Sequence, residues 1–441
     1  MVEAAERPDQ LTNKRVLKIA VPVVLSNVTV PLLGIVDTGV VGQLGDAAPI
    51  GAVGIGAVIL TTIYWVFGFL RMGTVGLTSQ AIGARDDAEV SALLSRVLMI
   101  GVFAGTALIL LQVPIFWAAF QIAPASAEVE GLARVYMQIR IFSAPAAIAI
   151  YGITGWLIAQ ERTASVFALQ LWMNGLNIAL SLGLVLGLGF GIEGVALATV
   201  IAEWTGVALG LWLCRKAFLR PAWRDWPRVF DRIRLLHMAS VNTDILIRSV
   251  LLMAGFTSFM FLGSDFGDVT LASNQILLQF LYITAYAMDG FAFAAEALVG
   301  KAMGARSPKA LRRAALLNTY WTAGTGVLMA LAFWIFGGAI IDILTTAPEV
   351  RDEARVYLFW MVLAPLLGCW AWILDGIFIG ATRTRDMRNM MALSFMGYVA
   401  MCLIFIPAYG NHGLWAALIG MFVLRGITLG ARYPALERAA A

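Results

Sequence analysis

This chain is poor in charge and poorer still in the residues that usually build catalytic sites. Only 13% of its 441 residues are Asp, Glu, Lys or Arg, against about 25% in soluble globular proteins. It has two histidines, His237 and His412, each at the edge of an apolar segment. A histidine metal site or a histidine-dependent triad therefore lacks its raw material. The three cysteines, Cys214, Cys369 and Cys402, are scattered through apolar stretches, with neither a paired framework nor metal-ligand spacing. No nucleophile motif or paired-acid protease signature occurs, so the reading is not an enzyme, with no catalytic residues, no metal and no organic cofactor. The first residues, MVEAAERPDQLTNKRVLK, lack the apolar core and cleavage site of a signal peptide. The first apolar segment is thus expected to remain as an uncleaved helix.

What is abundant is hydrophobicity: 60% of residues are apolar and the mean hydropathy is +0.83. Apolar runs of 18 or more residues predict membrane-spanning helices. Ten-residue alternating segments, the mark of a membrane β-barrel, do not dominate. Twelve spans are expected, at about 16–41, 48–73, 92–119, 133–158, 164–187, 193–214, 236–262, 270–298, 314–337, 355–380, 388–407 and 413–431. The longest polar connection, RKAFLRPAWRDWPRVFDRIR at 215–234, interleaves aromatics with arginines and suits the membrane surface. It divides an N-lobe (1–214, helices 1–6) from a C-lobe (235–441, helices 7–12). With both termini in the cytoplasm, 24 of the 31 Lys and Arg fall inside and three outside, namely Arg134, Arg351 and Arg355. That asymmetry follows the positive-inside rule and explains the net charge of +4 without nucleic acid.

The two lobes read as repeats. TSQAIGAR at 78–85 matches VGKAMGAR at 299–306, and GWLIAQERT at 155–163 resembles GIFIGATRT at 376–384, both at an offset of 221 residues. Six spans separate the copies, so they share an orientation. The expected fold is all-α and polytopic, with two six-helix lobes related by a pseudo-two-fold along the membrane normal.

Ten charges interrupt the apolar spans: Asp37, Arg71, Arg140, Glu203, Asp244, Arg248, Asp289, Glu296, Asp375 and Arg425. A charge at mid-membrane costs roughly 2.5–3.5 kcal/mol by insertion scales. Keeping ten of them points to a polar pathway and hence a transporter. Asp37 is deep in PLLGIVDTGVVG, where desolvation favours the protonated form until water arrives. Asp244 and Arg248 stand four apart on one helix face, which reads as an intrahelical pair or as part of a gate or substrate site. Asp289 and Glu296 share a face of helix 8 and could attract a cation or pair with Arg248. Asp375 lies at mid-depth, for substrate or for a neighbouring helix. Arg140 and Arg425, nearer span ends, read as snorkelling side chains. Arg383, Arg385 and Arg388 read as a solvated cluster.

The stretches LKIAVPVVLSNVTVPLLGIVDTGVVGQLG (17–45), FLRMGTVGLTSQAIGAR (69–85), GIEGVALATVIAEW (191–204), DILIRSVLL (244–252), TAYAMDGFAFAAEALVGKAMGAR (284–306), LDGIFIGATRTRDMRN (374–389) and GNHGLWAAL (410–418) resemble the multidrug and toxic compound extrusion (MATE) family, most closely its DNA-damage-inducible bacterial branch. The resemblance implies a two-lobe antiporter of the MATE/MOP fold. Such carriers export amphipathic, often cationic compounds against inward H+ or Na+, by alternating access. It places Asp37 at the family's ion-coupling aspartate, Asn177 and Thr199 in the first-lobe network, and Pro22 at the proline where helix 1 bends. The family's helix-5 acid is replaced by Ser181, and Glu203, one turn beyond Thr199, is the candidate substitute. One carboxylate in place of two favours H+ over Na+, though Na+ stays open. A lipid-linked precursor flippase of the same superfamily is the alternative; it calls for dominant inward arginines, whereas intramembrane acids outnumber arginines here. The expected setting is a monomer in the inner (plasma) membrane.

Overall fold

The computed structural model describes residues 11–43, 46–122 and 125–441, apart from the side chains of 30–33, 35, 37 and 38. Among the described residues there is no strand. With lipid as solvent, every backbone N–H and C=O must be satisfied within its own segment, which selects helices. Helix α1 (Asn13–Gly42) is followed by α2 (Ala47–Gly83), interrupted at Phe67 and Gly68. Then come α3 (Asp87–Leu110), α4 (Ala127–Ala159), α5 (Thr163–Gly187, its last turn a π-helix) and α6 (Gly191–Leu213). The second half holds α7 (Arg232–Ser264), α8 (Asp268–Gly304), α9 (Pro308–Leu344), α10 (Pro348–Gly380), α11 (Thr384–Tyr409) and α12 (Asn411–Arg438). A short helix, Gln112–Ile122, extends α3.

Many helices outrun the apolar runs that announce them. The 37 residues of α8 and of α9 exceed the about 20 needed to span hydrocarbon, so polar turns continue the same backbone. Local chemistry sets the starts. The Asp86 and Ser307 side chains cap α3 and α9, and Pro308 and Pro348 occupy first turns, where the missing N–H is not needed.

Contacts group the described chain into two units. One contains Met1–Val24, Ser79–Arg85 and Leu236–Ala441, the other Leu25–Thr78 and Asp86–Leu235. This grouping departs from chain order at three places: the first half of α1 and the end of α2 pack with the C-terminal unit, and the 215–234 linker packs with the N-terminal one. In the C-terminal unit α10 is the central helix, with 61% of its apolar window buried against 22% for α9 and α11. Its core holds Phe259 edge-on to Trp415 (4.5 Å between centroids) and Phe280 against Phe333 (5.0 Å). The N-terminal core gathers Tyr64, Phe116, Tyr136 and Met137.

The 221-residue offset has a backbone counterpart. Among the described residues, the four non-glycine residues with positive φ are Arg85, Glu161, Arg306 and Thr382, which form two pairs at that offset. Each ends a helix in the left-handed conformation, disfavoured by roughly 1–2 kcal/mol for a residue with a Cβ. At three of the four ends the next amide reaches back five residues, as from Arg162 N to Leu157 O (2.9 Å), Ser307 N to Ala302 O (3.0 Å) and Arg383 N to Phe378 O (3.0 Å). The ends of α2 and α8 also meet reciprocally within the C-terminal unit. A Cβ on Gly83 would overlap the Lys301 carbonyl, and one on Gly304 would overlap the Gln80 carbonyl. Gly83 and Gly304, like Gln80 and Lys301, are offset equivalents, and Ser79 faces its own equivalent, Gly300.

Candidate ion-coupling and polar sites

In the N-terminal unit, α5 presents Gln170, Asn174, Asn177 and Ser181 at helical spacing. Asn177 Nδ2 donates to Thr199 Oγ1 (2.8 Å) of α6, and Ser181 Oγ donates to Asn177 Oδ1 (3.4 Å). One turn earlier, Gln170 Nε2 donates to Asn174 Oδ1 (3.2 Å), and Asn174 Nδ2 donates to Thr29 Oγ1 (2.9 Å) on α1. Amide and hydroxyl groups of the described residues thus connect α1, α5 and α6. Asp37 belongs to α1, but its side chain lies outside the described residues. Pro22, half-buried, precedes by a few residues the point where α1 passes from one unit to the other.

Glu203 is engaged elsewhere. Arg140 of α4 donates to its Oε1 (3.1 Å), with both side chains nearly buried. Tyr64 Oη and Ser143 Oγ donate to the Arg140 carbonyl at 3.3 and 2.8 Å. Arg140 therefore does not snorkel: at 9% exposed it holds a carboxylate.

The C-terminal unit redistributes the expected pairs. Asp244 and Arg248, four apart, take different partners. Asp244 accepts from Arg388 Nη1 (2.6 Å) and Thr384 Oγ1 (3.2 Å) at the start of α11. Arg248 binds Asp375 on α10, and Arg425 of α12 binds the same carboxylate oxygen. All three members of this α7–α10–α12 cluster are at most 8% exposed. Two sequence readings change: Arg425 is buried and paired instead of snorkelling, and Arg388 is tied to a buried acid instead of being solvated. The physical reason is one of stakes. An i,i+4 pair is worth about 0.2–0.5 kcal/mol, whereas an uncompensated buried charge costs several. Glu296 is 2% exposed, and its backbone packs against Gly380 of α10; Asp289 is half-buried beside Tyr286.

One polar network escaped sequence reasoning. Asn274 of α8 and Asn411 of α12 exchange hydrogen bonds of 2.8 and 3.0 Å, and Trp415 Nε1 donates to Asn274 Oδ1 (2.8 Å). The available signal was an asparagine early in α8 and another at the first position of α12. Among the described residues no cluster of His, Cys, Asp and Glu could hold a metal ion.

This geometry has relatives. The MatE family model matches residues 22–182 and 245–406, one block in each half. The chain belongs to the MATE family. This MATE chain is 38% identical over 429 residues to DNA damage-inducible protein F of Escherichia coli, covering 95% of the chain and 92% of that protein. It is 29% identical over 447 residues to the probable multidrug resistance protein NorM of Bradyrhizobium diazoefficiens, covering 93% and 91%. The Vibrio cholerae MATE transporter VcmN in the bent form superposes with a TM-score of 0.87 at 19% identity, covering 97% of each chain. The MATE chain is therefore an all-α membrane protein of the twelve-helix MOP fold, and its relatives are transporters of the multidrug-efflux kind.

Proposed function

We propose that this MATE protein is a secondary-active antiporter that exports amphipathic or cationic small molecules in exchange for H+. It works as a monomer by alternating access in the inner (plasma) membrane, with both termini cytoplasmic. The observation that carries the coupling assignment is the α5 ladder. Its oxygens are neutral, and Ser181 stands where the family has its acid. Sodium favours several hard oxygen ligands with charge among them; a lone carboxylate on α1 suits a proton. Asp37 is the residue that takes up H+, with Asn177 and Thr199 holding the ladder beside α1 and Pro22 allowing α1 to bend when Asp37 is neutralised. Protonation from outside favours substrate release there, and deprotonation inward resets the carrier. Glu203, held in an ion pair by Arg140, is the second carboxylate assigned to ion coupling. Asp244, Arg248 and Asp375 form the C-lobe polar framework, and Asp289 and Glu296 supply negative charge for a cationic substrate.

The test is dye efflux from proteoliposomes under a proton gradient alone or a sodium gradient alone. Efflux is expected with protons only, and Asp37→Asn should abolish uphill export while the protein still folds. Sodium-driven efflux, or normal proton-driven export by Asp37→Asn, defeats the assignment. Glu203→Gln is expected to impair export and Ser181→Asp to restore part of it. A normal Glu203→Gln variant removes Glu203 from the coupling scheme.

A further inference from the structure

The 215–234 linker is fastened on one side and bare on the other. Its fastened side is held by the start of α3. Asp86 accepts from Arg228 (3.2 Å), Glu89 pairs with Arg234, and Asp87 pairs with Arg220 (2.5 Å). Buried Arg96 donates to the carbonyls of Val229 (2.8 Å) and Arg228 (2.6 Å), and Ser95 Oγ donates to the Trp223 carbonyl (2.6 Å). The segment is thus tied to its unit along this side.

The bare side carries Leu219 (81% exposed), Trp226, Phe230 and Ile233 (79% exposed). Trp226 and Phe230 stack with centroids 6.0 Å apart. Four cations stand among these apolar groups: Arg215, Lys216, Arg224 and Arg232. Among the described residues none of the four enters an ion pair, and Arg215 lies over the Trp212 ring at 4.1 Å. Water disfavours so many exposed apolar side chains, and hydrocarbon disfavours the cations. An interface satisfies both, and a surplus of cations selects a negative one. We infer that the linker docks on anionic phospholipid headgroups, inserting Leu219, Trp226, Phe230 and Ile233 at the level of the acyl boundary. This inference does not depend on the transport assignment.

The full-length chain is tested in nanodiscs whose two leaflets are alike, of phosphatidylcholine alone or with phosphatidylglycerol, so that membrane orientation does not enter. A spin label at Phe230→Cys, with Cys214, Cys369 and Cys402 changed to Ser, reports depth through its accessibility to oxygen and to a water-soluble nickel chelate. With phosphatidylglycerol the label is expected to gain oxygen and lose nickel accessibility. Each of Lys216→Glu, Arg224→Glu and Arg232→Glu should weaken that response by about fivefold or more, with the unfolding midpoint unchanged. Amide exchange across 215–234 in the unsubstituted protein, expected to slow in phosphatidylglycerol, gives the same reading without any substitution. Equal accessibility and equal exchange in both lipids overturn the inference, as does a lipid response that survives all three charge reversals.

Discussion

Asp375 receives two guanidiniums where one would neutralise it. Removing the carboxylate leaves Arg248 and Arg425 facing each other in the interior, and breaking a buried pair in this way costs about 3–5 kcal/mol. Removing Arg425 leaves Arg248 still paired with Asp375. Asp375→Asn is therefore expected to lower the thermal unfolding midpoint in detergent markedly, and Arg425→Gln clearly less; equal losses would contradict the arrangement. Each charge in this cluster was visible in the sequence as an interruption of an apolar run. Its partner was not. Asp375 is 127 positions from Arg248, and pairing at that range depends on helix packing that spacing does not encode. Spacing in fact favoured the four-residue Asp244–Arg248 pair, which the packing of α10 and α11 divides between two partners. In the same way the ladder residues Asn177 and Thr199 were legible through family resemblance, whereas Gln170, Asn174 and Thr29 were not.

The helices themselves were legible, because a hydrocarbon solvent leaves apolar length as nearly the whole code. Their ends were less so. The apolar run of α8 stops near 298, but the helix continues to Gly304 through Lys301 because Gly300 and Gly304 press against α2. Close approach makes these glycines different from others of the same type. Gly324, in the middle of α9, has nothing within 4 Å of where a Cβ would stand. Gly324→Ala should be neutral or stabilising, up to about 1 kcal/mol from helix propensity. Gly304→Ala must push α8 away from the Gln80 carbonyl and should lower the unfolding midpoint by several degrees. Differential scanning fluorimetry of the two variants side by side distinguishes these outcomes; a harmless Gly304→Ala would mean the crossing is loose.

At the scale of the molecule, the linker strap makes the protein sensitive to acid. Burial pushes the Asp86 carboxyl up, but the Glu89 backbone amide and the Arg228 and Arg234 guanidiniums together hold it below its ordinary value of 3.8. A carboxyl depressed in the folded state stabilises fully above its unfolded pKa, and that contribution is lost as pH falls through the folded value. The strap should therefore be intact at neutral pH and loosen only below about pH 4. Amide exchange at 215–234 measured down a pH series, corrected for intrinsic rates, should show protection falling there and nowhere higher. Loosening already near pH 6 would mean that other groups hold the linker.

The meeting of α2 and α8 has the character of a handshake: each chain segment gives the other what it receives. Gly83 makes room for the backbone at Lys301, and Gly304 makes room for the backbone at Gln80. Such a contact has no donor side and no acceptor side, so neither segment can drift while the other compensates. A bulkier residue on one side is not relieved by a smaller side chain opposite, since what it meets is the backbone at Lys301 or Gln80. One crossing therefore fixes the composition of the chain in two places, and any change tolerated at one of them should be tolerated, by the same geometry, 221 residues away.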